Sequence, residues 1–314
     1  MARPVTHYGF LGPVGTFTQA ALAGWPAAKG REQTAFSSVD KALAALREGE
    51  IDAAMVPIEN SVEGGVSATL DALHTGDPLT VVGEVLVPIT FVLAVRPGTT
   101  RDDVRAVGTH PHGWAQVRGW MGSELPDAVY VPTLSTAAAA ADLAAGLVDS
   151  YQAAVCAPVA AQGTGLQVLA SDIEDRSGAV TRFVLAARPG ELPEPTGADK
   201  TTVVVYQYDD HAGGLLELLE QFAARGINIS RLESRPTGDV MGRYCFSIDF
   251  EGHVRDARVG EALTGLRRVA ADVRFLGSYP RADGQQASIQ LTATDDAFAD
   301  ADRWLADLRG ERPH

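Results

Sequence analysis

Cysteine is almost absent from this 314-residue chain: there are two, Cys156 and Cys245, each set in an apolar run. Buried, reduced thiols are expected of both, and no disulfide framework is expected. Long apolar runs are also missing; none approaches the roughly 18 residues that suggest a membrane span. The opening MARPVTHYGFLG has neither the basic nor the apolar region of a signal peptide and reads directly into a strand. A cytoplasmic protein is expected, with no membrane partner. Basic residues are scarce: 26 Lys and Arg against 40 Asp and Glu leave a net charge of −14. That argues against nucleic acid as a partner, since no basic patch is available to displace counterions. A small anionic ligand is still compatible, because backbone N–H groups and one or two arginines make a cleft locally positive. No Walker loop, dinucleotide fingerprint, nucleophile–base motif or zinc cluster occurs. Neither cofactor nor metal is expected, and any chemistry rests on positioning and polar groups.

What is present begins with a duplication. Ser38–Pro57 (SVDKALAALREGEIDAAMVP) and Ser135–Pro158 (STAAAAADLAAGLVDSYQAAVCAP) share one pattern. A serine suited to an N-cap opens a helix, a glycine follows (Gly49, Gly146), an aspartate comes three residues later (Asp52, Asp149), and a short apolar strand ends the unit. The preceding segments, HYGFLGPVGTFTQAAL and VRAVGTHPHGWAQV, also correspond as strand, loop and helix. Two similar α/β lobes are therefore expected in the first 185 residues or so, with LTVVGEVLVPITFVLAVRPG carrying the chain across and VTRFVLAARPG bringing it back. Two lobes joined by crossovers leave a cleft at strand ends, where open α/β sheets bind ligands. The Pro- and Gly-rich stretch Arg188–Lys200 reads as a linker. Beyond it the order βαββαβ predicts a ferredoxin-like split βαβ unit. After Pro280 the chain is polar, with one amphipathic patch, AFADADRWLADL.

Several loops carry candidate chemistry. Gly12–Thr18 joins a strand to a helix, and its glycines let backbone approach a ligand; Thr16 is equally an N-cap. In Pro57–Gly65, Asn60 and Ser61 can donate to carboxylate or carbonyl oxygens, while Glu59 either orients them or faces solvent. Thr109-His110-Pro111-His112-Gly113 holds a His-x-His pair without a third ligand at suitable spacing, so a metal is not expected. Ser135 and Thr136 open the second repeat helix, with capping as the default role. In Thr181-Arg182-Phe183, strand alternation sends Thr181 and Phe183 to one face and Arg182 to the other.

Taken together, GPVGTFT, VPIENSVEGGV, THPHGWAQ, the STAAAA helix start, GLQVLASDIED and VTRFVL resemble the prephenate dehydratase family, in the family's order, and Glu233-Ser234-Arg235-Pro236 matches its ESRP motif. The resemblance covers about nine-tenths of the chain. It implies an α/β, type 2 periplasmic-binding-protein-like catalytic domain over residues 1–190. A C-terminal ferredoxin-like βαββαβ ACT regulatory domain is implied over 200–281, and a tail over 282–314. It implies a lyase without cofactor that decarboxylates and dehydrates prephenate to phenylpyruvate under control by phenylalanine, in a homodimer or homotetramer. Thr181 is the implied catalytic residue, with Thr16, Asn60, Ser61, Ser135, Thr136, Arg182 and Phe183 around the substrate. Ala212, Gly213, Gly214, Leu215, Asn228, Glu233, Ser234, Arg235 and Pro236 are implied around the effector. Two departures stand out: Thr109-His110-Pro111-His112 replaces Ser-His-Pro-Gln, and Ala212-Gly213-Gly214-Leu215 replaces Pro-Gly-Ala-Leu. Arogenate dehydratase and a non-catalytic two-lobed sensor are the alternatives.

Overall fold

A computed structural model describes residues 5–62, 64–237 and 244–311. These form two compact units. One holds the described residues up to Thr69 together with Val85–Leu185; the other gathers Leu70–Glu84 with those from Ala186 onward. Glu63, part of the ENS-containing loop, lies outside the described residues, as do 312–314 of the tail.

The first unit opens with β1 (His7–Leu11), α1 (Phe17–Ala23), β2 (Glu32–Phe36), α2 (Val39–Glu48), β3 (Ala53–Asn60) and the short β4 (Gly64–Gly65). Next come α3 (Ser67–His74) and β5 (Thr80–Pro88), both of which run through the division between units. Then follow β6 (Val92–Val95), β7 (Ala106–Thr109), α4 (Pro111–Glu124), β8 (Val129–Pro132), α5 (Thr136–Ala144), β9 (Ala153–Cys156), α6 (Pro158–Thr164), β10 (Gln167–Ser171) and β11 (Val180–Ala187). One sheet has the order β2-β1-β3-β11-β5 and the other β8-β7-β9-β6-β10. Each is a parallel βαβ pair with its third strand alongside, then a strand from outside the repeat: β11 in one case, β6 in the other. The duplication is thus exact at the level of strand order, and the expected two-lobed plan is the one observed.

Local chemistry explains the repeated units. Ser38 and Ser135 accept from the N–H groups of Lys41 and Ala138, three residues into α2 and α5. The α2 helix ends at Gly49 in the left-handed region, φ 81°, with Asp40 in its first turn and Arg47 in its last, as the helix dipole favours. One correspondence read from spacing does not hold. Asp52 accepts from Thr6 N–H, Thr6 Oγ1 and His7 N–H, tying the start of β3 to β1. In the second lobe Gln152 does this work, its Oε1 accepting from the N–H groups of Arg105 and Ala106. Asp149 shares Asp52's distance from the glycine, but Gln152 shares its position directly before the strand.

Apolar strands explain the cores. Val92, Ala94, Ala154 and Cys156 pack with α5 and α6 on one side of the second sheet, and Leu93, Val95, Val107 and Val155 with α4 on the other. Both cysteines are free and buried, as expected. Burial pushes the Cys156 thiol up to about 12, so it is an inert core residue.

The second unit carries β12 (Asp199–Tyr206), α7 (Gly214–Ala223), β13 (Ile229–Pro236), β14 (Tyr244–Glu251), α8 (Ala257–Val269) and β15 (Asp272–Pro280), in the sheet order β13-β14-β12-β15. This is the expected ferredoxin-like βαββαβ arrangement. Val203, Val205, Ile248 and Phe250 pack beneath Leu218, Phe222 and Leu266 of the two helices. Residues 70–84 bond to the same unit. Arg235 makes a bidentate contact with Asp71 at 2.7–3.1 Å, the Tyr206 hydroxyl donates to the His74 carbonyl, and Lys200 meets both oxygens of Glu84 at 3.0 and 3.2 Å. In the tail, α9 (Asp295–Arg309) is anchored at its start, where Asp295 accepts from Ala257 N–H at the first turn of α8. Trp304 and Leu308 are exposed.

Candidate active site

Strand alternation sorts the candidate residues of β3 and β11. Asn60 Nδ2 donates to Thr181 Oγ1 at 2.7 Å, while Glu59 and Arg182, one residue along on each strand, form an ion pair at 3.5 Å. The first pair lines a cavity of about 260 Å³; the second does not. The orientation of the Asn60 amide is set by its other end, since Asn60 Oδ1 accepts from Val62 N–H at 2.8 Å. The nitrogen must therefore face Thr181. With its oxygen accepting from Asn60, the Thr181 hydroxyl directs its own proton elsewhere.

Two helices point their positive ends at this cavity. His110 caps α4 and Ser135 caps α5, and both residues line it, with Thr136, Gly113 and His112 beside them. Helix starts with unsatisfied N–H groups form a ready anion site. Phe17, Ile89, Phe91 and Leu134 supply apolar wall, and Phe17 meets Phe91 edge to face at 5.6 Å. Cavities of about 560 and 510 Å³ lie nearby in the same unit, but neither contains Asn60 or Thr181.

The structure therefore brings together Asn60, Thr181, Ser135 and Thr136 of the residues expected at the substrate. It places four others behind or beside the cavity. Ser61 is a strand clasp: its N–H donates to the Val180 carbonyl and its Oγ accepts from Val180 N–H. Thr16 caps α1 through Gln19 N–H and donates to the Leu11 carbonyl. Arg182 is buried against Glu59, and Phe183 is buried in the sheet. The glycine loop also makes a close approach within the fold: at Gly15, φ 90°, a Cβ would stand 3.1 Å from that of Ala160 in the opposite lobe.

Sequence reasoning missed Phe17, Ile89, Phe91, Gln116 and Leu134 as cavity walls, and gave no role to His110 and His112, whose pairing lacks a third metal ligand. Instead, His110 Nδ1 accepts from His112 N–H at 3.2 Å as an N-cap. The available signal was Pro111: proline at the first helical position marks the preceding residue as a cap.

The expected effector residues fall at two ends of one sheet. Gly213, φ 92°, caps α7, and Gly214 and Leu215 open it, next to Ala212. Tyr206 and Arg235 both pair with Cys245, so the Glu233–Pro236 end of β13 and the end of β12 leading to this turn lie at the same end of the sheet. Asn228 precedes the other end of β13, where its carbonyl accepts from Glu251 N–H. Glu233 and Arg235 do not pair with each other: Glu233 meets Arg231 at 3.5 Å and Arg235 meets Asp71. Alternation puts all three on one strand face, and Asp71 offers a better-aligned, bidentate partner.

A family model described as prephenate dehydratase matches residues 8–191, and an ACT domain model matches 201–268. A prephenate dehydratase of Amycolatopsis methanolica is 49% identical over 313 residues, covering 98% of this chain and all of the relative. The crystal structure of the Arthrobacter aurescens prephenate dehydratase in complex with L-Phe has a TM-score of 0.91 and 55% identity, covering 97% of this chain and 99% of that one. A structure described as a novel type of quorum-quenching acylase, GqqA, has a TM-score of 0.78 and 30% identity, covering 88% of this chain and 98% of that one.

Proposed function

Because this chain belongs to the prephenate dehydratase family, we propose that it converts prephenate to phenylpyruvate, carbon dioxide and water, as a carbon–oxygen lyase controlled by phenylalanine. The observation that carries this reading is the meeting of the Thr181 hydroxyl with two helix starts in one cavity. Prephenate is a dianion with a ring hydroxyl opposite the leaving carboxylate. The N-termini of α4 and α5 suit the carboxylates. Thr181, accepting from Asn60, donates to the departing hydroxyl. Loss of both groups makes an aromatic ring, so the reaction is steeply downhill: the C–C bond to the leaving carboxylate breaks, its electron pair enters the ring as the C–O bond breaks, and the departing hydroxide, held by the Thr181 hydrogen bond, takes a proton from solvent to become water. One preorganised donor is worth about 2.7–4 kcal/mol. Phe17 and Phe91 remove water from the ring, which strengthens each of these bonds.

Phenylalanine binds the ACT module, with donors from the Gly213–Gly214 turn and Leu215 beside the ring. Glu233–Pro236 lies at the same end of the sheet, and Asn228 comes from a neighbouring copy. β13 is an edge strand of its sheet, a template for pairing with another chain, and the protein assembles as at least a dimer through this module. The catalytic domain runs to about 190, the ACT domain over 200–281, and 282–314 forms the tail.

Purified protein incubated with prephenate and, separately, arogenate tests the reading. Phenylpyruvate absorbance should rise with prephenate. Turnover of arogenate alone would shift the assignment to the amino analogue, and turnover of neither would leave a sensor or an acylase.

A further inference from the structure

The loop before β11 reaches into α4. The N–H groups of Gly119 and Trp120, in the middle of that helix, donate to the two carboxylate oxygens of Asp175 at 2.7 Å each, and Asp175 N–H donates to the Gln116 carbonyl at 2.7 Å. Mid-helix amides normally face the carbonyl four residues back. Here a carboxylate receives two of them, with its own N–H on the carbonyl one turn earlier, the kind of contact by which a side chain enters that ladder. Space is kept for it: a Cβ on Gly119 would stand 2.8 Å from Asp175 Oδ1. The neighbouring residues grip a second wall of the cavity. Ile173 N–H donates to the Phe91 carbonyl, and Glu174 Oε2 accepts from Phe91 N–H at 3.0 Å. Asp172, at φ 53°, holds the loop in a left-handed turn. Gln116 and Phe91 both line the cavity that contains Thr181.

We propose that Asp175 is a positioning residue for the reaction: by bonding to the backbone of α4 at Gln116, Gly119 and Trp120 it sets Gln116 and the helix start at His110 toward the substrate. The inference rests on reading the cavity as the prephenate site. An acid on an exposed loop has no other evident reason to meet three backbone groups of a helix that lines the site.

Misplacement of a site by about 1 Å costs on the order of 100-fold. Asp175→Ala should therefore lower kcat/KM by roughly 10- to 100-fold, and Asp175→Asn, which keeps one acceptor oxygen, should lose less. Gly119→Ala should reproduce the Asp175→Ala defect by displacing the carboxylate. If Asp175 acts through Gln116, adding Gln116→Ala to Asp175→Ala should cause little further loss, because coupled residues are not additive. Circular dichroism and melting temperature are followed throughout, and Asp175→Asn with Gly119→Ala carry the test if Asp175→Ala does not fold. Variants that melt earlier but keep kcat and KM would overturn the proposal, as would independent, multiplying losses from Gln116 and Asp175. A wild-type protein without prephenate turnover would overturn the functional reading together with this inference; an active wild type with indifferent Asp175 variants would overturn this inference alone.

Discussion

At the scale of single residues, the Asn60–Thr181 contact has a direction. Val62 N–H fixes the amide, so Asn60 donates and Thr181 accepts. Asn60→Asp keeps the shape and reverses the direction: the carboxylate draws the threonine proton to itself. Turnover should fall by about 10²–10³-fold, the cost of one lost preorganised donor, with the melting temperature little changed. Thr181→Ala should lose at least as much, and Thr181→Ser should recover part of it because the hydroxyl remains. Steady-state kinetics on the three variants checks both statements. An Asn60→Asp enzyme with wild-type kcat would mean that the direction of this bond is irrelevant. This pair was legible in part: ENS and TRF stand out in the sequence, but their meeting across 121 residues does not.

At the scale of elements, α3 is held at both ends by different partners. Thr69 Oγ1 donates to the Pro57 carbonyl near its start; Asp71 and His74 bond to Arg235 and to the Cys245 thiol at 3.7 Å farther on. Burial lowers the His74 pKa to about 4, with Asp71 opposing and Arg231, Arg235 and Arg274 assisting. The sign follows from linkage. Between pH 6.5 and 4 the unfolded chain takes up a proton that the native protein refuses, so stability is full above 6.5 and falls as pH drops toward 4. The loss is on the order of 3 kcal/mol, from 1.36 kcal/mol per unit. Urea unfolding at pH 7.5 and 4.5 should show it, and His74→Gln should flatten the dependence; an unchanged slope would remove His74 as its source. The Arg235–Asp71 pair is partly exposed and contributes no more than about 1 kcal/mol. Asp71→Asn should therefore leave stability nearly intact and alter the phenylalanine response, measured as the concentration that half-inhibits turnover. The ESRP motif was visible in the sequence; its partner was not, because Asp71 sits 164 residues away on an element assigned by pattern to the other domain.

At the scale of the whole molecule, Glu84, in the segment 70–84 that belongs to the second unit, forms a buried ion pair with Lys200 of the same unit. Ala282 N–H also donates to Glu84. Lys200→Met would strand a buried carboxylate and should cost about 3–5 kcal/mol. Combining it with Glu84→Gln removes the charge, keeps an acceptor for Ala282 and should recover most of the loss. Denaturant midpoints of the wild type, the single and the double variant decide this; a double variant as unstable as the single would show that packing, not charge, is at stake.

What the sequence determined by itself was periodic or local. Helices with their serine caps, strands with their alternation, and the duplication follow from patterns of two to four residues that backbone geometry imposes. The tertiary structure decided everything that depends on register and on distant partners. It put Gln152 rather than Asp149 in the place of Asp52, turned Arg182 to Glu59, and made Ser61 a clasp and Gly15 a lobe contact. It also passed residues 70–84 to the second unit. Each of these choices sets one hydrogen bond or one close approach against another, with a net difference of about 1 kcal/mol. No local pattern encodes which partner arrives, because the partner is chosen only when the sheets assemble.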